Sequence, residues 1–169
     1  GAWSISVSDN NWDNFASGTI KTNSEADHVH GGKSALGIWF ANNDTSVTLS
    51  QTVKLDTGIY TLSGYAKETK GVTAGVEFVG AGSAYTPATG YGEFSGSITA
   101  SEAGSYTVTV KVSGNSGAWV VLDDFALVKN SEDTSSEETV SVVNGDFETD
   151  IWTTGSGWTV TPDSWDNFA

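Results

Sequence analysis

Seven stretches of this chain alternate apolar residues with small or polar ones, with Gly, Asn and Asp punctuating the chain between them: residues 34–40 (SALGIWF), 47–53 (VTLSQTV), 59–67 (IYTLSGYAK), 75–79 (GVEFV), 92–98 (GEFSGSI), 105–113 (SYTVTVKVS) and 119–128 (WVVLDDFALV). A period of two sends successive side chains to opposite faces, so each stretch predicts a strand with one buried side. Turn signals such as Asp56-Thr57-Gly58 and Glu102-Ala103-Gly104 place corners directly before strand starts. The 20 Gly against 2 Pro agree. No window offers a capped amphipathic helix. The expected fold is all-β, a two-sheet antiparallel β-sandwich.

A repeat sets the domain organisation. Residues 158–169 (WTVTPDSWDNFA) repeat residues 3–16 (WSISVSDNNWDNFA) with a two-residue gap, including the string Trp-Asp-Asn-Phe-Ala. Between them, residues 130–139 (NSEDTSSEET) carry four carboxylates and no apolar side chain, which predicts a linker that cannot offset its ordering entropy by burial. The chain therefore reads as a sandwich over residues 1–129, an acidic linker over 130–139, and over 140–169 the start of a tandem second copy. Its start at Gly1 without any Met fits a segment of a larger polypeptide. The second copy opens with a strand-like stretch (VVNGDFE, 142–148) that has no counterpart in the first. Residues 142–149 are expected to supply the missing strand, within the chain or across a strand-swapped oligomer. Residues 158–169 would then duplicate an occupied place, and should be disordered, displace 3–16 or dock elsewhere.

Charge removes several function classes. The formal net charge is −14, and all seven cations are Lys, so the chain repels polyanions and lacks the Arg fork that grips phosphate. Nucleic acid is excluded as a partner on these grounds. No apolar run nears the roughly 20 residues of a membrane span, and no targeting segment is visible. With no Cys, disulfides, Cys-based zinc sites and thiol nucleophiles are absent. No nucleophile elbow, phosphate loop or dinucleotide fingerprint occurs. Asp123 and Asp124 are adjacent on a predicted strand and should point to opposite faces, so they do not make a glycosidase pair. His28 and His30 lack a third ligand at metal-binding spacing and read as loop residues. No catalytic residue is assigned.

Aromatic residues are more informative, since this chain has seven Trp. Leu36, Ile38 and Phe40 share one face of their stretch, leaving Trp39 on the other beside the small Ala35 and Gly37. Tyr60, Leu62 and Ala66 face inward, which puts Tyr65 outward with Thr61, Ser63 and Lys67. Trp119 starts the last strand after a Gly-Asn-Ser-Gly turn, and Trp12 sits in a polar loop; Trp3 and Trp158 read as core. Flat rings beside hydrogen-bonding groups suit the apolar faces and polar rims of sugars. Trp39, Tyr65, Trp119 and Trp12 are the candidate platforms, with Asn14, Asn42, Glu77 and Lys111 as hydrogen-bonding neighbours. If both faces of the sheet are covered, the same rings are core and the chain is a structural or adhesive β-sandwich repeat of a bacterial surface protein, without a glycan site.

The order NGDFE, GW, HGGKSALGIWF, VTLSQTV, GIYTLSGYAK and GAWVVLDDFAL resembles the jelly-roll carbohydrate-binding modules of bacterial polysaccharidases. Within that group it is most similar to the β-1,4-galactan-binding modules attached to endo-galactanases. The resemblance implies a β-sandwich without catalytic activity, a structural calcium ion and an aromatic-lined sugar site. Carried over, the calcium ligands would be Asp146 through its carbonyl, Glu148 through its carboxylate, the Lys33 or Gly32 carbonyl, and Asp124 or Asp123. Related xylan-binding modules place a key aromatic at the position of Tyr65. The implied function is a non-catalytic module, secreted or displayed at a bacterial surface, that holds an attached enzyme near a plant cell-wall polysaccharide, with β-1,4-galactan favoured. Affinity gels separate this from the spacer reading.

Overall fold

A computed structural model of the chain describes residues 3–7, 20–24, 26–68, 72–130, 138–140, 142–143, 145–148 and 158–160. The strands are β1 (Trp3–Val7), β2 (Ile20–Asn23), β3 (Ala35–Trp39), β4 (Thr45–Leu55), β5 (Gly58–Glu68), β6 (Ala74–Phe78), β7 (Gly92–Ala100), β8 (Gly104–Gly114), β9 (Trp119–Asn130), β10 (Glu138–Val140) and β11 (Trp158–Val160). No helix is found among the described residues. All seven alternating stretches are strands. The sequence reading did not single out β2 as a strand, and β10 lies where the linker was expected to end.

Two sheets face each other. One has the order β11-β1-β4-β8-β6; the other runs β2-β3-β9-β5-β7, with β10 also on β9. Pairing is antiparallel throughout except for β11 on β1. The longest unbroken ladder joins β4 to β8, from Thr45 opposite Gly114 to Leu55 opposite Gly104. Strand β9 is the hub of the second sheet: it pairs along β5, and its other edge takes β3 at one end and β10 at the other.

The alternation in sequence becomes the core. Val47, Leu49, Val53 and Leu55 of β4 and Val108, Val110 and Val112 of β8 meet Leu36, Ile38, Tyr60, Leu62, Val120, Leu122 and Leu127 from the other sheet. At one side Phe78, Phe94, Phe125 and Phe147 form a chain of ring contacts, with centroids 4.8, 5.9 and 5.3 Å apart in that order.

The last member of that chain comes from beyond the acidic stretch. Phe147 is fully buried, and Val140 and Val142 pack against the same core. The buried Gln51 side chain accepts from Val143 N at 3.1 Å and donates to Val143 O at 3.2 Å, and Phe125 N donates to Gly145 O at 2.9 Å. This segment docks within its own chain. It does so without the strand expected over 142–149: the described residues there are turns and irregular chain, and Phe147 has φ 51°, which breaks an extended ladder. Strand pairing near this stretch is made instead by Glu138–Val140 on β9, across the expected boundary between the linker and the second copy. Removing the Phe147 ring should leave a cavity at the end of the aromatic chain. Phe147→Ala is expected to lose about 3–5 kcal/mol in urea denaturation; a loss under about 1 kcal/mol means that the segment does not close the core.

Candidate functional site

The outward face of the β2-β3-β9-β5-β7 sheet carries the aromatic residues. Trp39 and Trp119 are direct cross-strand partners on β3 and β9, both partly exposed, while their neighbours Ile38 and Val120 are buried in the core. Cross-strand neighbours on one face stand close enough for large rings to form a continuous surface. Gly37 makes room for it. A Cβ at residue 37 would stand 3.2 Å from Trp119 Nε1, so the indole lies across the glycine, on the face where Gly37 and Trp39 alternate with the core residues.

Tyr65 projects from the same face, two strands' width from Trp39, and is capped. His30 stacks on it with centroids 3.8 Å apart and planes 16° from parallel, and Tyr91 stands 5.0 Å from His30 at 60°. His28 lies 6.3 Å from Trp119, tilted by 32°. These histidines belong to a loop laid over the sheet and pinned at several points. Tyr91 Oη donates to His28 O at 2.7 Å; Lys67 Nζ donates to Asp27 O and sits 5.6 Å over the Tyr91 ring.

The firmest anchor is Asp123, which is sealed from solvent. Its Oδ2 accepts from His30 N at 2.9 Å and Gly31 N at 3.1 Å, and its Oδ1 accepts from Asp124 N at 2.8 Å. Asp124 Oδ2 lies 2.7 Å from His30 Nδ1. Both carboxylates thus converge on one loop, correcting the expectation that they point to opposite faces. The cause is a bulge. Asp124 has φ 50°, and the β5–β9 register shifts between Ser63 and Tyr65, so strict alternation fails where it was assumed.

Burial pushes the Asp123 carboxyl up to about 6, against the three backbone N–H groups that favour its charged form. Burial, then the charges of Asp123 and Asp124, raise Tyr91 well above the ordinary phenol value, so it stays a hydrogen-bond donor. A third carboxylate closes the far side of the loop: Glu148 Oε1 accepts from Lys33 N at 2.5 Å and Ser34 N at 2.8 Å. It occupies the space a side chain at Gly32 would need, and Gly32 has φ 63°. Asp146 Oδ1 accepts from Glu148 N at 3.4 Å. Among the described residues no three His, Cys, Asp or Glu side chains form a metal cage.

Trp39, Trp119 and Tyr65 are thus brought to one face. Asn42 is on the loop after Trp39, whose neighbours bind the turn before Trp119: Gly117 N donates to Phe40 O at 2.8 Å and Ser116 N to Asn43 Oδ1 at 3.1 Å. Glu77 and Lys111 are not brought to this face. They pair with each other across β6 and β8, whose core side chains are Val76, Phe78, Val110 and Val112, so they face outward on the opposite side of the sandwich. Lys111 there lines a cleft of about 310 Å³ with Asp44, Ser113 and Asn115. Trp12 and Asn14 lie outside the described residues. His28, His30 and Tyr91 are site residues that the sequence reading missed, although the His-Val-His string followed by two glycines marks the loop.

Comparison with known proteins gives the fold a precedent. The structure of the carbohydrate-binding module TmCBM61 in complex with β-1,4-galactotriose matches with a TM-score of 0.58 at 23% identity, covering 76% of this chain and 88% of that one. The fold is a two-sheet β-sandwich of the jelly-roll kind that this match shows. More distant matches are a family 16 carbohydrate-binding module (TM-score 0.47, 18% identity, 66% and 86% coverage) and the CBM22-1 xylan-binding domain of Xyn10C from Paenibacillus barcinonensis (0.46, 17%, 75% and 84%). No protein-family model and no curated protein matches the sequence. In this jelly roll the hub strand β9 carries Trp119 and lies between β3 with Trp39 and β5 with Tyr65, and its Asp123 locks the loop across them. Asp123→Ala should leave the His30 and Gly31 N–H groups without their acceptor, at about 1–3 kcal/mol each, whereas Asp123→Asn keeps an acceptor oxygen and should lose less. Equal losses in urea denaturation would show that the carboxamide cannot stand in for the carboxylate.

Proposed function

We propose that this chain is a non-catalytic carbohydrate-binding module that holds an attached enzyme on a plant cell-wall polysaccharide, with β-1,4-galactan the favoured ligand. One observation carries this reading: two partly exposed tryptophans stand side by side on β3 and β9, over a cleared glycine, on the outward face of a sandwich. Rings so placed offer flat apolar ground to the C–H face of a pyranose, and His28 and Asn42 nearby supply polar groups for the sugar rim. Tyr65 has a smaller part here, since His30 covers one of its faces. The galactan preference draws support from the galactotriose held by TmCBM61. A secreted or surface-displayed bacterial module fits this work, and no helix among the described residues is long and apolar enough to cross a membrane.

The test is retardation in native gels cast with galactan, xylan, mannan or glucan. Retardation is expected in galactan. Trp39→Ala and Trp119→Ala should each weaken it at least about tenfold, or ~1.4 kcal/mol. Glu77→Ala and Lys111→Ala should run as the parent does. No retardation in any glycan leaves a spacer repeat, and reducing-end release from the same polymers would make the chain a hydrolase.

The same reading places a structural calcium ion at the corner where the segment ending at Glu148 meets the loop 31–34. Asp146 through its carbonyl, Glu148 through its carboxylate, the Lys33 or Gly32 carbonyl, and Asp124 or Asp123 would hold it, and the ion would supply cross-linking charge. Its support is the chemistry of the donors, all hard oxygens, which suit calcium rather than zinc. A chelator is expected to lower the melting temperature by several degrees, with recovery in calcium and not in magnesium. An unchanged melting temperature removes the ion from the proposal.

A further inference from the structure

Strands β1 and β11 are one motif met twice in the chain, and the structure sets them side by side. The pairing is parallel and in the repeat's own register: Trp3 opposite Trp158, Ser4 opposite Thr159, Ile5 opposite Val160. Parallel neighbours in a sheet are translated copies of one another, about 4.8 Å apart. The backbone edge that β11 turns toward β1 is therefore the same edge that β1 turns toward β4. Among the described residues, β11 is the outer strand of its sheet and pairs with β1 alone.

Two properties make this pairing transferable. It rests on backbone groups of one short strand, so any β1 edge with the same register can receive it. The ladder formed is also the same whichever copy of the chain supplies that edge, which is the condition for exchanging an element at little cost. We propose that β11 is an exchangeable arm whose alternative seat is the β1 edge of a second copy of this chain. Reciprocal exchange closes a dimer; one-way exchange builds an open row.

Two physical terms set when it happens. The short connection from Glu148, which is docked on the body, to Trp158 keeps β11 near its own β1 at an effective concentration in the ~mM range, so the closed monomer dominates in dilute solution. The net charge of −14 opposes the approach of two copies, so added salt should favour exchange. Crowding on a surface would do the same. The inference does not depend on the glycan reading, because its readout contains no sugar.

The absence of native Cys makes a direct test simple. Ser4→Cys and Thr159→Cys are placed on separate full-length chains, which are mixed at about 0.01 and about 1 mM in a glutathione redox buffer. Opposed residues on adjacent strands meet the Cα spacing of a disulfide. The expected result is an S4C–T159C heterodimer that rises with concentration and salt, and that exceeds the yield of the off-register S6C plus T159C mixture several-fold. The double variant S4C/T159C should close within one chain when dilute. The proposal is overturned if the double variant closes internally at every concentration while the mixed chains give no more heterodimer than the off-register control. It falls equally if no arrangement cross-links, since β11 then does not pair with β1.

Discussion

A carboxylate removed from water is stable only where hydrogen bonds replace its hydration, and Asp123 meets that demand with three backbone N–H groups. Two of them belong to the loop at His30 and Gly31, so satisfying the buried group and laying the loop over the sheet are one event. The loop then brings His30 onto Tyr65 and His28 beside Trp119. Were Asp123 at the surface, the loop would lose its buried anchor and keep only the outer contacts of Tyr91, Lys67, Asp124 and Glu148. The bulge at Asp124 adds the second carboxylate to the same point.

The strands were legible because period two is a local signal that survives folding. Where residues 105–113 alternate Tyr, Val, Val and Val with Ser, Thr and Lys, one face is buried and the other is not, whatever lies elsewhere in the chain. Ile20-Lys21-Thr22-Asn23 has one apolar residue and no such rhythm; it is a strand because β3 offers it an edge. The outward placement of Trp39 and Tyr65 followed from the same rhythm, whereas Trp119 was singled out by the Gly-Asn-Ser-Gly turn before it. What could not be read was which sheet each outward residue stands on. Glu77 and Lys111 were grouped with the aromatics by residue type, yet the core lies between them. The facing of Asp123 and Asp124 was misjudged because alternation presumes a regular backbone, and a left-handed residue breaks it. The meeting of His30 with residues 93 and 94 positions away left no trace in spacing.

The two outward faces divide the chemistry of the sandwich. On the β4–β8–β6 side, Ser46, Thr48, Ser50, Thr52, Thr107, Thr109 and Ser113 alternate with core residues, giving short hydroxyls and few rings. On the β3–β9–β5 side stand Trp39, Trp119, Tyr65 and the histidine loop. Both sheets bury the same kind of aliphatic layer, so the difference is a matter of surface alone, and the functional reading rests on one side of the molecule.

The way residues 138–148 return to the body has a consequence for the covalent chain. Glu138–Val140 pairs with β9, Gln51 grips Val143, Phe147 is sealed among rings, and Glu148 caps Lys33 and Ser34. None of these contacts runs through the peptide bonds between Asn130 and Glu138. The long body and the short returning segment are thus joined by packing and hydrogen bonds as well as by the covalent chain.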